Sequence, residues 1–166
     1  MMIIWILAIC ASVSAKSEPF KVTVKLDSLP YEDSEDNAYF KFSLYDVEIL
    51  QDLDKDIGVT IDYTISEKNG GKVASESRVR LCPDYDADEQ DISAVELFKG
   101  ALDLLNEPCT IKKQIVTLKP KFDSELVIEN LTGSPCNKMF TANVKVFPPG
   151  SAKKIVKIKY IITPQC

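Results

Sequence analysis

The residues best placed to do chemistry are the carboxylates in the segment LCPDYDADEQDI. Asp84, Asp86 and Asp88 alternate as in the opening of a calcium-binding loop, where alternate oxygens converge on a hard cation. An EF-hand loop also needs Gly at its sixth position and Glu at its twelfth, and this chain has Glu89 and Val95 there. Carboxylates also gather at helix N-termini, where the helix dipole favours them. The pattern therefore favours a solvated acidic loop that leads into a helix.

The chain contains no histidine. This excludes Ser-His-Asp and Cys-His nucleophile systems, zinc sites built on imidazole, and histidine-based pH switches. Paired carboxylates could still cleave a sugar bond, but no spacing in the sequence fixes two acids at a working separation. A net charge of −5 argues against a nucleic-acid partner, which needs a basic face. We therefore predict no catalytic residue, no metal and no cofactor.

The first fifteen residues, MMIIWILAICASVSA, form an apolar run that ends in small residues, with Val13 and Ala15 placed for cleavage. The apolar run of about ten residues is too short for a bilayer, which takes about twenty. Residues 1–15 are therefore predicted to be a secretory signal peptide. Residues 16–166 are long enough for one core, so we expect a single monomeric domain in an extracellular, lysosomal or other luminal compartment.

Cysteine usage agrees with secretion. Cys10 belongs to the predicted signal peptide, which leaves four cysteines in the mature chain: Cys82, Cys109, Cys136 and Cys166. An even number in a secreted chain indicates two disulfides, for which counting alone allows three connectivities.

Alternation of apolar and polar residues predicts about eight strands, at 20–26, 40–44, 57–65, 73–81, 111–118, 125–131, 138–147 and 155–163. The acidic segments 27–37 and 48–58 are predicted to be connections. Asn69, Gly70 and Gly71 are typical of a hairpin turn, and the polar middle of 73–81 suggests an edge strand.

Residues 91–105 change to helical spacing and predict one amphipathic helix, with this apolar face: Ile92, Val95, Phe98, Leu102 and Leu105. Asp91 is suited to cap its start, and Asn106 and Pro108 to end it. The predicted fold is therefore all-β, an antiparallel β-sandwich or β-cup of about eight strands with one helix.

The last two predicted strands allow a test of register. A turn centred on Ser151 pairs four apolar residues with four others: Phe140 with Ile162, Ala142 with Tyr160, Val144 with Ile158, and Val146 with Val156. A slip of one residue would destroy this continuous apolar face. The same register pairs Cys136 with Cys166, and by elimination Cys82 pairs with Cys109 on either side of the helix.

Two surface features remain. Asn130, Leu131 and Thr132 form an N-glycosylation sequon, which in a secreted chain would mark exposed backbone. Lysines gather on the last hairpin: Lys145, Lys153, Lys154, Lys157 and Lys159. Such a cluster is typical of a solvated strand face that resists aggregation, and it is also suited to anionic lipid head groups or an acidic partner.

Three features together resemble a known family. They are Cys82 followed by Asp84 and Tyr85, the helix end LDLLNEPC at 102–109, and the hairpin MFTANVKVFPPGSAKKIVKIKYI. The chain resembles the MD-2-related lipid-recognition (ML) proteins, which include the ganglioside GM2 activator and the insect chemosensory B proteins. The resemblance implies a β-cup whose apolar cavity takes up lipid tails without performing chemistry on them.

The inward residues of the strands and the helix face would line such a cup, and we expect these to contact the ligand: Phe42, Ile61, Tyr63, Phe98, Leu102, Phe140 and Tyr160. Each buried methylene contributes about 0.8 kcal/mol, so ten contribute about 8 kcal/mol, enough for micromolar binding before ordering costs. We expect a secreted carrier of a lipid or another hydrophobic small molecule, with a membrane surface or a receptor as a further partner. The alternative is a secreted β-sandwich interaction factor with a filled core.

Overall fold

The computed structural model describes residues 18–32, 38–82, 92–106, 108–151 and 153–166, with the backbone alone for 29–32 and Ile92. Within these ranges the protein is mostly β-structure, with two antiparallel sheets, one α-helix and two disulfides. The predicted sandwich-like fold is confirmed. The predicted signal peptide and the predicted helix cap Asp91 lie outside the described residues, and so does most of the acidic stretch after Cys82.

The described strands are β1 Phe20–Glu32, β2 Phe40–Phe42, β3 Asp46–Ile49, β4 Thr60–Glu67, β5 Val73–Arg80, β6 Gln114–Thr117, β7 Lys121–Leu126, β8 Phe140–Phe147 and β9 Val156–Pro164. The helix α1 spans Ile92–Ala101, and a short 3-10 turn spans Pro135–Asn137. A larger sheet has the order β5-β4-β8-β9-β1-β7, and a smaller one the order β2-β3-β6. The predicted edge position of β5 is confirmed.

Period-two alternation decides which face of the larger sheet is buried. In β4, Ile61, Tyr63 and Ile65 are buried, while Asp62 and Thr64 between them lie on the outer face. Strands β8, β9 and β1 repeat this pattern, so their inner faces form one apolar layer. The helix packs on that layer and contacts β4, β5, β7 and β8.

The predicted register of the last hairpin is confirmed at all four apolar pairs, from Phe140 opposite Ile162 to Val146 opposite Val156. Both predicted disulfides are also confirmed. Cys136 is bonded to Cys166 at the open end of the hairpin, and Cys82 is bonded to Cys109 across the helix.

Two segments predicted as connections are partly strands. β1 continues into the first segment, 27–37, and ends at Glu32. Its register against β9 shifts between Leu26 and Ser28 and again between Ser28 and Tyr31, which breaks the alternation. The first two residues of the second segment, Glu48 and Ile49, belong to β3, in which the fully buried Val47 and Ile49 alternate with Asp46 and Glu48. β7 also begins four residues before the predicted start at position 125.

The helix ends at Ala101, four residues before the predicted end. Asp103 adopts a left-handed φ of 57°, and the amide of Leu104 donates to the carbonyl of Lys99 at 2.8 Å. The amide of Asp103 donates to the carbonyl of Gly100 at 3.2 Å, which completes a Schellman-type C-cap. No helix within the described ranges is long and apolar enough to cross a membrane.

Candidate ligand-binding site

The residues predicted to line the cup lie together in the interior. Six of them are at most 1% exposed and belong to one apolar cluster: Ile61, Tyr63, Phe98, Leu102, Phe140 and Tyr160. Phe42 is half-buried and packs against the same cluster. Their contact with a ligand stays a prediction.

The floor of this cluster comes from three neighbouring strands. Tyr63 in β4 lies opposite Val144 in β8, and Tyr160 in β9 lies opposite Ala142 in β8. Ala142 is small and sits beside the large tyrosine ring, so large and small side chains alternate across this floor. The alternation of apolar and polar residues along each strand therefore places these rings on one continuous surface.

The helix forms the facing wall. Ala94, Leu97 and Phe98 are fully buried on its sheet-facing side, and so is Leu102, directly after the helix end. Phe98 meets Phe40 of the smaller sheet edge to face, with ring centroids 5.5 Å apart. Phe40 in turn lies 6.4 Å from Phe42, so the half-buried Phe42 is joined to the helix through Phe40.

The hydroxyls of two buried tyrosines in this interior have hydrogen-bond partners. The hydroxyl of Tyr160 donates to the backbone carbonyl of Leu97 at 2.8 Å, and the hydroxyls of Tyr63 and Ser75 lie 2.9 Å apart. Burial raises the pKa of Tyr160 well above its ordinary value, so this phenol stays neutral at physiological pH.

The helix is also anchored to the neighbouring β7. The hydroxyl of Ser124 donates to a carboxylate oxygen of Glu96 at 2.9 Å, and the amide of Val127 donates to the hydroxyl of Ser93 at 3.3 Å. Burial is the largest influence on Glu96 and raises the pKa of its carboxyl; the Ser124 hydrogen bond opposes that rise, and Glu125 adds to it. Glu96 was not among the predicted site residues. The signal in the sequence is its i, i+3 spacing from Ser93, which puts both residues on one face of a helix.

A groove of about 330 Å³ opens on the outer face of β5, β4 and β8. It is lined mainly by polar residues: Asp62, Tyr63, Thr64, Glu76, Ser77, Arg78, Asn143 and Lys145. Arg78 forms a two-bonded ion pair with Asp62, and its guanidinium lies 4.9 Å from the ring centre of Phe147. This groove is distinct from the predicted apolar cavity and shares Tyr63 alone with its lining.

Asn130 lies exposed in the loop after β7, where its backbone amide donates to the backbone carbonyl of Ala74 at 2.9 Å. Asp84, Asp86 and Asp88 lie outside the described residues, so their solvated role stays a prediction. Elsewhere in the described chain, no group of three His, Cys, Asp or Glu side chains could hold a metal ion.

The helix and the larger sheet thus enclose the apolar cluster from opposite sides. Comparison with protein-family models and with curated proteins finds no match to this chain.

Proposed function

We propose that the protein is a secreted, non-catalytic carrier of a lipid or another hydrophobic small molecule, with the ligand held between helix α1 and the larger sheet. The observation that carries this proposal is the single apolar cluster that joins both sheets and the helix. A ligand tail would lie against Phe98 and Leu102 on one side and against Phe140 and Tyr160 on the other. Binding at such a surface requires the hydrophobic effect and no reacting group.

Uptake requires the helix wall to move. The predicted lining side chains are at most 1% exposed, apart from Phe42. Three described polar contacts join the helix side chains or its C-terminus to the following strand region: Ser124 to Glu96, Val127 to Ser93, and the amide of Lys119 to the carbonyl of Ala101. The disulfide between Cys82 and Cys109 limits how far the helix can swing.

A series of saturated fatty acids of increasing chain length tests the carrier function. Each added methylene is expected to improve the dissociation constant by about fourfold, from about 0.8 kcal/mol per group, until the cup is full. Titration calorimetry or displacement of a fluorescent fatty acid measures this series. Native mass spectrometry of the purified protein would show bound lipid directly. A monomer that carries no lipid and binds no chain of any length would overturn the proposal.

Secretion belongs to the same proposal. Two disulfides indicate an oxidising, extracellular-type environment. The exposed Asn130 is accessible to a glycan, so expression through a eukaryotic secretory pathway should yield protein whose mass falls by one N-glycan on enzymatic deglycosylation. The substitution Asn130→Gln should abolish that change. Protein retained in the cytosol without a glycan would contradict secretion.

A second candidate is an interaction factor that binds a receptor through its surface. Exposed apolar residues on and beside the smaller sheet favour it: Leu44 is 59% exposed, Tyr45 69% and Ile115 70%. The fatty-acid series separates the two functions, because a filled sandwich takes up no chain. The double substitution Tyr45→Ser with Ile115→Thr should leave fatty-acid binding unchanged if the carrier function is correct.

A further inference from the structure

The outer face of the larger sheet carries a diagonal line of lysines, here called the lysine stripe, whose members are Lys145, Lys157, Lys159, Lys25 and Lys121. It crosses four adjacent strands, β8, β9, β1 and β7. Its two ends are pairs of lysines that lie directly opposite each other, Lys145 with Lys157 and Lys25 with Lys121. Strand spacing of about 4.8 Å and a rise of about 3.4 Å per residue make the stripe about 20 Å long.

Four of these lysines form no ion pair with an acid that the structure describes. The described ion pairs join Arg78 to Asp62, Lys112 to Asp52, Lys119 to Asp103, Lys138 to Glu67 and Lys159 to Asp27. Among the described residues, Lys159 is the one member of the stripe within ion-pair distance of an acid, Asp27 at 4.0 Å. Two acids lie close to the stripe ends and bond to other groups. Asp62, directly opposite Lys145 on β4, is paired with Arg78, and Asp123 accepts hydrogen bonds from the side chains of Thr23 and Gln165.

This arrangement is unfavourable for folding alone. Like charges directly opposite each other on neighbouring strands destabilise a sheet. The whole chain carries 25 acidic and 20 basic residues, so the unpaired lysines do not follow from a general excess of basic residues. A negatively charged partner would remove the repulsion, which makes charge complementarity the natural explanation of the stripe.

The surroundings favour a sulfated polysaccharide over a bilayer. Beside the stripe, the outer face presents the polar side chains of Thr64, Asn143 and Thr141, which can bond to sugar hydroxyls. The most exposed apolar residues, Leu44, Tyr45 and Ile115, belong to the other sheet or its turn. A surface that inserts into lipid presents exposed apolar side chains among its basic ones. On this face Ile161, the apolar neighbour of Lys25 on β9, is only partly exposed.

We infer that the lysine stripe is a binding site for a linear sulfated polysaccharide of the extracellular matrix or cell surface. Successive sulfate groups would lie along the line from Lys145 to Lys121, over strands β8 to β7. This site is separate from the apolar interior, because these lysines point away from it. The inference therefore stands independently of the carrier function.

Heparin serves as the probe. The purified protein should bind immobilised heparin in low salt despite its net negative charge, and binding should weaken as salt is raised. The double substitution Lys145→Gln with Lys157→Gln should weaken binding by about tenfold or more, because each lysine near an anionic surface contributes about a factor of five. Its melting temperature should stay equal or rise, since a repulsive pair is removed.

A matched control removes two lysines from the other side of the molecule. Lys41→Gln with Lys113→Gln makes the same change in net charge at two exposed positions on or next to the smaller sheet, and heparin affinity should change by less than about twofold. Equal losses in both double variants, or no binding at low salt, would overturn the inference. Binding to vesicles of phosphatidylserine and phosphatidylcholine without binding to heparin would overturn it in favour of a membrane.

Discussion

Gly100 in α1 lies against the ring of Phe122 in β7, with no room for a larger side chain. A methyl group added at its Cα would lie 2.2 Å from the ring of Phe122, closer than any relaxed contact allows. Phe122 cannot easily withdraw, because it packs edge to face on the buried ring of Tyr160 at 6.2 Å. Glycine in the helix therefore lets α1 lie close to β7, although glycine disfavours helix by about 1 kcal/mol relative to alanine.

Gly100→Ala should accordingly destabilise the protein by about 1–3 kcal/mol, because overpacking outweighs the gain in helix propensity. Urea denaturation of the wild type and the variant measures the change. Gly100→Ala should cost less free energy of unfolding in a Phe122→Ala background than in the wild type. A double-mutant cycle measures this difference.

Gly70 provides the control for that experiment. It lies in the turn between β4 and β5, and an added methyl group meets nothing within 4 Å. Gly70→Ala should change the free energy of unfolding by less than about 1 kcal/mol, whichever sign it takes. An equally small effect at Gly100 would show that α1 does not press on Phe122.

For single residues, the sequence predicts whether a side chain points inward better than it predicts which residue that side chain contacts. Alternation alone identified Ile61, Tyr63, Phe140 and Tyr160 as inward residues, and all are buried. Phe42 is also inward but only half-buried, because β2 is three residues long and lies at a sheet edge. The contact between Gly100 and Phe122 joins a helix to a strand that starts twenty residues later, and no local periodicity reports such an approach.

Elements differ in how strongly the chain specifies them. The final hairpin was predictable in register because its two strands are joined by a short turn and every inward residue is apolar. β3 was not predictable, since four residues with acids at alternate positions resemble a loop until β2 and β6 pair on both sides. The helix ended early because Asp103 takes a left-handed conformation that helical spacing does not reveal.

The junction between α1 and β7 predicts a dependence of stability on pH. Burial, with a smaller contribution from Glu125, raises the pKa of Glu96 in the folded state; Ser124 and Lys99 oppose the rise. Glu96 therefore contributes its full stabilisation below its unfolded pKa, and this contribution is lost as pH rises through the higher folded pKa. Glu96→Gln cannot ionise, so it should lose less stability than the wild type between pH 4 and pH 8.

Melting curves across that pH range measure the difference between variant and wild type, which should become more favourable to Glu96→Gln as pH increases. Glu129→Gln removes an exposed carboxylate in the loop after β7 and should follow the wild-type profile. Parallel curves for Glu96→Gln and the wild type would contradict a buried carboxylate at this junction.

In the whole molecule, the apolar interior and the lysine stripe differ in how far apart in sequence their defining residues lie. The apolar interior follows from alternation within short segments, so its buried residues could be predicted before any contact was known. The lysine stripe could be predicted only in part. Lys145, Lys157 and Lys159 share one hairpin, whereas Lys25 and Lys121 meet through the pairing of β1 with β7 across nearly a hundred residues. Long-range register decides that second pair, and no local pattern contains it.

The two disulfides close loops of nearly equal length, with sequence separations of 27 and 30 residues. In the chain-entropy model each should stabilise by about 3–4 kcal/mol, and the two should differ by about 0.1 kcal/mol. They hold different parts of the molecule, however. Cys82 and Cys109 restrain the helix wall, whereas Cys136 and Cys166 close a hairpin that the sheet already pairs along its length.

The paired variants Cys82→Ser with Cys109→Ser and Cys136→Ser with Cys166→Ser should therefore lose similar stability and differ in ligand binding. Measured below both melting temperatures, fatty-acid affinity should fall in the first variant, because a less restrained helix encloses the ligand less well. The dissociation rate should rise in that variant and stay near the wild-type value in the second. Equal affinities in both would mean that the ligand does not lie beneath α1, even if the protein binds lipid elsewhere.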